Sequence, residues 1–220
     1  MTGSHRRLAL LGDVHGNAAA LRGVLEAVDA LGITAGASTG DLVMRGMEPE
    51  ACIALLRRRG WPSTMGNTDL KVATRAARRP DDPKARRVGS RSWTTNRLDA
   101  EDLAWLAARP MISRVDLAGR RVVVMHGGPE DPRDAVDEAT PDGELAALAA
   151  SIEADVVVMG HIHRQMVRRA GGALFINPGS VGEAVDGDRR PRWAWLEAGP
   201  HGLAVHLEVV ERELATVRQT

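Results

Sequence analysis

Potential metal ligands follow most of the short apolar runs of this 220-residue chain. After each of these runs stands a turn that contains glycine and one or two Asp, Asn or His residues. Together the turns supply Asp13, His15, Asp41, Asn67, His126, His161 and His163. Because ligands of open α/β sheets bind beyond the carboxyl ends of the strands, we expect these side chains to converge. The neighbouring glycines would let the backbone segments approach one another closely.

These seven side chains offer only nitrogen and oxygen atoms to a metal. Such a set suits Mn, Fe, Zn, Co or Ni better than Cu(I) or an iron–sulfur cluster. Seven ligands are too many for one ion, but they suit two ions that share a bridging carboxylate. Two ions about 3.5–4 Å apart can bind phosphate oxygens together and hold a hydroxide between them. The set therefore predicts a dinuclear metal centre, with Mn²⁺ as the favoured ion.

The distribution of histidine favours a metal site over a series of unrelated turn residues. A single Asp or His after a strand is usually a helix cap or a turn residue. Here four of the seven histidines stand within two residues of a glycine, directly after an apolar run. The remaining three are His5, His201 and His206.

The elements that must position these residues are short strands alternating with amphipathic helices. Apolar patterning predicts strands at residues 8–11, 35–39, 61–65, 121–125, 156–159, 174–176, 193–196 and 203–210. Helices are predicted from Asn17 to Gly32, from Pro49 to Gly60 and over residues 141–153. Two or three more should lie between residues 70 and 109, the last over 99–109. The order favours two stacked sheets flanked by helices.

Composition places limits on the class of protein. The single cysteine, Cys52, lies in an apolar helical stretch and predicts core packing rather than a disulfide or a zinc knuckle. The apolar run after Arg6 and Arg7 is too short for a signal peptide and is interrupted by Asp13. No segment approaches the length needed to cross a membrane. We therefore predict a soluble cytoplasmic protein.

The turn motifs, taken in order, resemble those of the calcineurin-like metallophosphoesterases. The resemblance rests on Asp13-x-His15, Gly40-Asp41, Gly66-Asn67, His126-Gly127 and Gly160-His161-x-His163, and it extends from Leu8 to about Gly182. Each motif alone is weak, whereas five in order are specific. The segment from Asn177 to Gly182 looks like the small bacterial and archaeal phosphodiesterase branch of that family.

This resemblance implies a four-layer αββα sandwich of two mixed sheets and a metal-bound hydroxide that attacks phosphorus. One ion would be held by Asp13, His15 and His163. The other would be held by Asn67, His126 and His161, with Asp41 bridging the two ions. Catalysis is expected to involve Asp41, Asn67, His161 and Arg45, and Arg45 and Asn67 are expected to contact substrate.

Arg45 follows Asp41 in a segment similar to one that carries a phosphate-gripping arginine in phosphoprotein phosphatases and dinucleoside-polyphosphate hydrolases. The planar guanidinium group can hold two phosphate oxygens at once. The alternative is a surface arginine at the start of a helix.

Thr68 marks a departure from the family pattern. Most members have a histidine after the Gly-Asn pair, and that histidine protonates the leaving group. A threonine cannot serve as an acid at neutral pH, and general acid catalysis is typically worth about 10²–10⁴-fold. We therefore expect a bias toward good leaving groups, such as aryl esters and phosphoanhydrides.

Residues 70–97 are strongly basic, although the whole chain has a formal net charge of zero. This segment has nine Lys or Arg residues and two Asp residues, a net charge of +7 (9 − 2). We predict a single domain over residues 1–220 with a helical basic insertion at about 70–110. The insertion is either a lid that attracts anionic substrates or a solvated helical face. Because Trp93 is the only aromatic residue among residues 70–97, single-stranded nucleic acid is not favoured as a partner.

The sequence therefore predicts a metal-dependent phosphodiesterase or phosphatase for a small anionic phosphate ester or nucleotide, with no membrane partner. Three alternatives remain: a dinucleoside-polyphosphate hydrolase, a phosphoprotein phosphatase and a non-catalytic scaffold of the same fold. The sequence leaves the oligomeric state open.

Overall fold

The protein is described by a computed structural model over residues 6–74, 81–199 and 202–211. Its strands are β1 (Arg7–Leu11), β2 (Gly36–Ser38), β3 (Ile112–Leu117), β4 (Arg120–Met125), β5 (Val156–Val158), β6 (Gln165–Ala170), β7 (Ala173–Pro178), β8 (Arg192–Gly199) and β9 (Gly202–Val209). Its helices are α1 (Ala18–Ala30), α2 (Pro49–Arg59), α3 (Asn67–Thr74), α4 (Pro83–Arg86), α5 (Arg91–Arg97), α6 (Ala100–Ala107) and α7 (Asp142–Ser151).

The strands form two mixed sheets. The first has the order β2-β1-β8-β9, with β1 and β2 parallel and the other pairs antiparallel. The second has the order β3-β4-β5-β7-β6, in which β4, β5 and β7 are parallel and the two edge strands are antiparallel. Parallel strands thus form the centre of the second sheet, and their carboxyl ends lie at one edge.

The alternation of side chains along the strands builds the layers. Leu8 and Leu10 of β1 lie in the core between the sheets, whereas Ala9 and Leu11 pack into the core that also contains α1 and α2. On the second sheet, Val123 faces away from the first sheet and packs in the core that contains α7. Strand segments buried on both faces are expected to be continuously apolar, as β5 and residues 122–125 of β4 are. The predicted four-layer αββα sandwich is confirmed.

Helix termini follow the signals in the sequence. The Asn17 side chain caps α1 by accepting a hydrogen bond from the Ala20 N–H at 3.1 Å. Pro49 opens α2, and Gly60 ends it in the left-handed conformation with a φ of 64°. Cys52, a residue of α2, is buried in the core, as predicted. None of the described helices combines the length and apolarity needed to span a bilayer.

The structure differs from the predicted strands at three places. Residues 61–65 form no strand but one bridge, in which Ser63 pairs with Ser38 of β2. Pro62 has no N–H to donate, so pairing there is limited to a few bonds. The edge strands β3 and β6 were not predicted. Edge strands can be rich in charged residues, and β6 has two consecutive arginines, Arg168 and Arg169, which hide its apolar alternation.

Helices occupy much of residues 67–107, and no strand lies in the described part of that range. Val72, Leu98 and Leu106 are buried in the same core as α1 and α2. Part of the basic segment, Arg75, Arg78 and Arg79, lies outside the described residues. The helix predicted from residue 99 is α6, and the Asp99 side chain caps it by accepting from the Asp102 N–H at 2.8 Å.

Replacing Leu10 by Ala tests the core between the sheets. Because Leu10 is fully buried, the variant should lose about 2–5 kcal/mol of unfolding free energy, measured by urea denaturation. Leu31→Ala is the matched control, since Leu31 is 40% exposed and its loss should cost less than about 0.5 kcal/mol. Equal losses in both variants would contradict the proposed layering.

Candidate metal centre

The turns after β1, β2, β4 and β5 meet at one place, at the carboxyl ends of these parallel strands. Backbone bonds join the first two turns, because Asp13 N–H donates to the Gly40 carbonyl and His15 N–H to the Asp41 carbonyl, both at 2.9 Å. Gly160 N–H donates to the His126 carbonyl at 2.8 Å and joins the other two. The structure thus brings all seven predicted ligands together.

The first group consists of Asp13, His15 and His163, and all three are buried. Nε2 of His163 lies 3.1 Å from Nε2 of His15 and 3.2 Å from Oδ1 of Asp13. Each residue offers one atom, and these atoms lie within 4.8 Å of one another. Three side chains thus point their ligating atoms at one small volume.

The second group consists of Asn67, His126 and His161. Oδ1 of Asn67 lies 3.0 Å from Nε2 of His126 and 3.1 Å from Nδ1 of His161. Asn67 is the first residue of α3, directly after the 61–65 segment. His161 is partly buried, so this group lies at the more open side of the site.

Asp41 lies between the groups. Its Oδ2 is 3.8 Å from Nε2 of His15, and its Oδ1 is 3.5 Å from Nε2 of His126. Asp41 also forms a group with Asp13 and His126 whose atoms lie within 4.8 Å of one another. A carboxylate with one oxygen toward each group has the placement that a bridging ligand needs.

Hydrogen bonds outside the site fix which ring nitrogens point inward. His126 donates from Nδ1 to the Thr39 carbonyl at 2.9 Å, and His163 donates from Nδ1 to the Glu183 carbonyl at 3.0 Å. In the neutral rings the inward Nε2 atoms then carry lone pairs, which face the oxygens of Asn67 and Asp13. Such outer bonds to ligating histidines are typical of metal sites.

The pKa shifts of His15 and His161 also suit cation binding. Burial lowers the pKa of His15, despite the nearby carboxylates of Asp41 and Asp13, and burial lowers the pKa of His161 as well. Neutral imidazole is the form that binds metal. Burial alone would raise the pKa of Asp13, but the neighbouring histidines, His163 above all, hold it below its usual range. Oδ1 of Asp13 is buried without a hydrogen-bond partner, which a cation would supply.

The backbone at the site is strained. Asp13, His15, Asp41, His161 and His163 all have positive φ, between 49° and 71°. Residues other than glycine rarely adopt this left-handed backbone conformation. Strain of this kind clusters at functional sites. The positive φ values turn each side chain back toward the common centre.

Asp69 supports the site, a role that the sequence reasoning missed although Asp69 stands two residues after Asn67. Its buried carboxylate accepts from the Leu42 N–H at 2.8 Å and from the Gly66 N–H at 3.2 Å. Burial and the neighbouring Asp41 raise its pKa to about 7. Asp69 thereby ties the loop after Asp41 to the turn before Asn67.

The end of β7 and the residues that follow it support the site. The side chain of Asn177 donates to the Gly160 carbonyl at 2.6 Å, next to His161. Ser180 Oγ donates to the Asp13 carbonyl at 2.9 Å. This segment gave the resemblance to the small phosphodiesterases, but the sequence did not show that it positions the ligand-bearing turns.

Arg45 lies at the rim of the site, exposed and in contact with the carboxylate of Glu183. Its N–H donates to the Gly89 carbonyl at 2.9 Å, so the segment before α5 touches the loop after Asp41. Thr68 is buried, and its hydroxyl has no hydrogen-bond partner. His206 stacks on Trp195 at 3.7 Å between ring centroids, while His5 and His201 lie outside the described residues.

Comparisons with known proteins agree with this architecture. The family model for the calcineurin-like phosphoesterase superfamily domain matches residues 7–198, which include all seven predicted ligands. A metallophosphoesterase from Sphaerobacter thermophilus is 28% identical and superposes with a TM-score of 0.77, covering 94% of this chain and 89% of that one.

Two archaeal proteins are also similar. An uncharacterised protein of Methanocaldococcus jannaschii is 28% identical over 204 aligned residues, which cover 82% of this chain and 78% of the relative. A hypothetical protein from Pyrococcus horikoshii OT3 shares the fold, with 16% identity and a TM-score of 0.80 over 94% of this chain and 88% of that one.

Asn177→Ala tests whether the end of β7 positions the ligands. Loss of the bond to the Gly160 carbonyl should loosen the turn that holds His161 and His163. We expect Mn²⁺ affinity, measured by calorimetric titration, to fall about 10–100-fold, as for other outer-shell partners of metals.

Asn177→Asp is the matched variant, because it keeps the oxygen that accepts from the Gly179 N–H at 2.9 Å and replaces the donor by a carboxylate oxygen, which repels the Gly160 carbonyl. It should weaken Mn²⁺ binding similarly. Affinities within about twofold of wild type in both variants would contradict the positioning role.

Proposed function

We propose that this chain, which belongs to the calcineurin-like phosphoesterase superfamily, is a metal-dependent phosphodiesterase that hydrolyses a small phosphate ester or nucleotide. One observation carries the proposal. Two groups of nitrogen and oxygen atoms, with Asp41 between them, point into one small volume at the carboxyl ends of parallel strands. A cytoplasmic location remains a prediction.

The side chains present fit two divalent ions. Asp13, His15 and His163 would hold one, Asn67, His126 and His161 would hold the other, and Asp41 would touch both. When bound, the ions would supply positive charge to phosphate oxygens and acidify the water that serves as nucleophile. The nitrogen and oxygen donors suit Mn²⁺, with Fe, Zn, Ni or Co as alternatives.

Other residues would orient the substrate. The guanidinium of Arg45 reaches the rim on the side of His15 and His163, where it could hold two oxygens of the phosphate. Asn67 and His161 flank the open side, so they would lie nearest to the ester group. These placements support the expected roles of Arg45, Asn67 and His161 in substrate binding and catalysis.

The helical segment from α3 to α6 is proposed to act as a cap on the substrate side. Gly89 in this segment bonds to the backbone of Arg45, and the neighbouring side chains of Arg86 and Arg87 are exposed. A basic rim of this kind attracts anionic substrates and raises the rate of encounter at low salt.

Asp41→Asn tests the proposed function directly. Metal-free protein supplied with Mn²⁺ should hydrolyse bis-p-nitrophenyl phosphate. Because even outer-shell partners of metals cost about 10–100-fold when mutated, loss of a carboxylate that touches both groups should lower kcat/KM at least about 100-fold. Asp29→Asn is the matched control, since Asp29 pairs with Arg59 on the surface, away from the site.

One result would contradict the proposed function. Absence of turnover with Mn²⁺, Zn²⁺, Ni²⁺ and Co²⁺, in protein that binds two ions, would exclude a general phosphodiesterase. It would favour the scaffold alternative.

Thr68 generates a second prediction for the same activity. Its buried hydroxyl cannot donate a proton to the leaving group at neutral pH, so the rate should depend steeply on leaving-group acidity. Diesters with alkyl leaving groups should react about 10²–10⁴-fold more slowly than an enzyme with a general acid would achieve. Thr68→Ala should change kcat for bis-p-nitrophenyl phosphate less than about threefold, and a larger loss would assign Thr68 a role in the chemistry.

A further inference from the structure

Glu183 brings a carboxylate to the rim of the site that the metal-binding scheme does not use. The carboxylate is bonded to the guanidinium of Arg45 and lies 3.4 Å from Nε2 of His15. Its side chain is 33% exposed. Substrate entering the site would therefore meet Glu183 and Arg45 as a preformed pair.

The backbone of Glu183 is held in place. Its N–H donates to Ser180 Oγ at 2.8 Å, and its carbonyl accepts from Nδ1 of His163 at 3.0 Å. The preceding Gly182 packs so closely that an added Cβ would lie 1.9 Å from the Val14 carbonyl oxygen. The carboxylate can therefore move by side-chain rotation, whereas the loop that bears it cannot withdraw.

Glu183 is poorly placed to be a metal ligand. Among the described residues, the groups that could hold an ion contain Asp13, His15, Asp41, His126 and His163 but not Glu183. The ring atom of His163 nearest to the Glu183 carboxylate is Nδ1, at 3.7 Å, and this is the nitrogen that faces away from Asp13. The carboxylate thus lies at the border of the first group, beside His15 and in contact with Arg45, without joining a group of three ligand atoms.

We propose that Glu183 is a specificity-determining residue, whose carboxylate competes with phosphate for Arg45 and so favours monoanionic diesters over dianionic monoesters. The proposal rests on the proposed phosphoesterase function. A fixed negative charge repels a dianion about twice as strongly as a monoanion at the same place. A phosphate monoester is largely dianionic above its second pKa of about 6, whereas a diester carries one charge.

The ion pair of Glu183 and Arg45 also explains how Arg45 can bind an entering phosphate and still discriminate between phosphates by their charge. An exposed ion pair is worth little, typically about 0–1 kcal/mol, so an entering phosphate can displace the carboxylate. The displaced carboxylate remains nearby, because its backbone is fixed. The repulsion between this carboxylate and a bound phosphate therefore rises with the charge of the phosphate.

Glu183→Gln tests the inference, because it removes the charge and keeps the shape. At about pH 8, inorganic phosphate should bind the Mn²⁺-loaded variant at least about fivefold more tightly in calorimetric titrations. The ratio of kcat/KM for p-nitrophenyl phosphate to that for bis-p-nitrophenyl phosphate should rise by at least about fivefold. Glu144→Gln is the matched control, an exposed residue of α7, and should leave both values within about twofold.

The outcomes separate this inference from the proposed function. An unchanged ratio and unchanged phosphate affinity would overturn the role of Glu183. A variant that binds one ion fewer would overturn it too, because Glu183 would then be a metal ligand. If wild type turns over neither ester, the proposed function fails, while tighter phosphate binding by Glu183→Gln would still support the competition for Arg45.

Discussion

The structure depends on one costly arrangement, the crowding of buried nitrogen and oxygen atoms at the carboxyl ends of parallel strands. Nε2 of His15 and Nε2 of His163 lie 3.1 Å apart, and the Asp13 carboxylate lies beside them. Burial removes the hydration of these groups, and Oδ1 of Asp13 has no hydrogen-bond partner in exchange. A cation would bind these atoms in place of water, and this is the physical reason to assign metal binding to the site.

Much of the fold serves to hold this arrangement. Several ligands stand on left-handed backbone, whose cost of order 1–3 kcal/mol per residue persists only where the surroundings impose it. The surroundings here are the paired turns at Asp13 and Asp41, the buried Asp69 carboxylate and the end of β7. The sheets themselves supply rigidity through apolar strands that are buried on both faces.

The convergence of the seven side chains and the layer order could be predicted from sequence because both depend on local patterns. An apolar run followed by glycine and a polar residue marks the end of a buried strand, and four such ends, with the turn after residues 61–65, share one edge of the fold. The roles of Asp69 and Glu183 could not be predicted, because they depend on contacts across the fold, with Leu42 in one case and with Arg45 in the other. The edge strands β3 and β6 were missed for a related reason, since their partners rather than their own apolar pattern hold them in the sheet.

Anomalous diffraction from crystals of the Mn²⁺-loaded protein would test the central claim most directly. The account predicts two manganese peaks, one among Asp13, His15 and His163 and one among Asn67, His126 and His161, with Asp41 in contact with both. A single peak, or peaks outside these two groups, would contradict the dinuclear centre on which the proposed function rests.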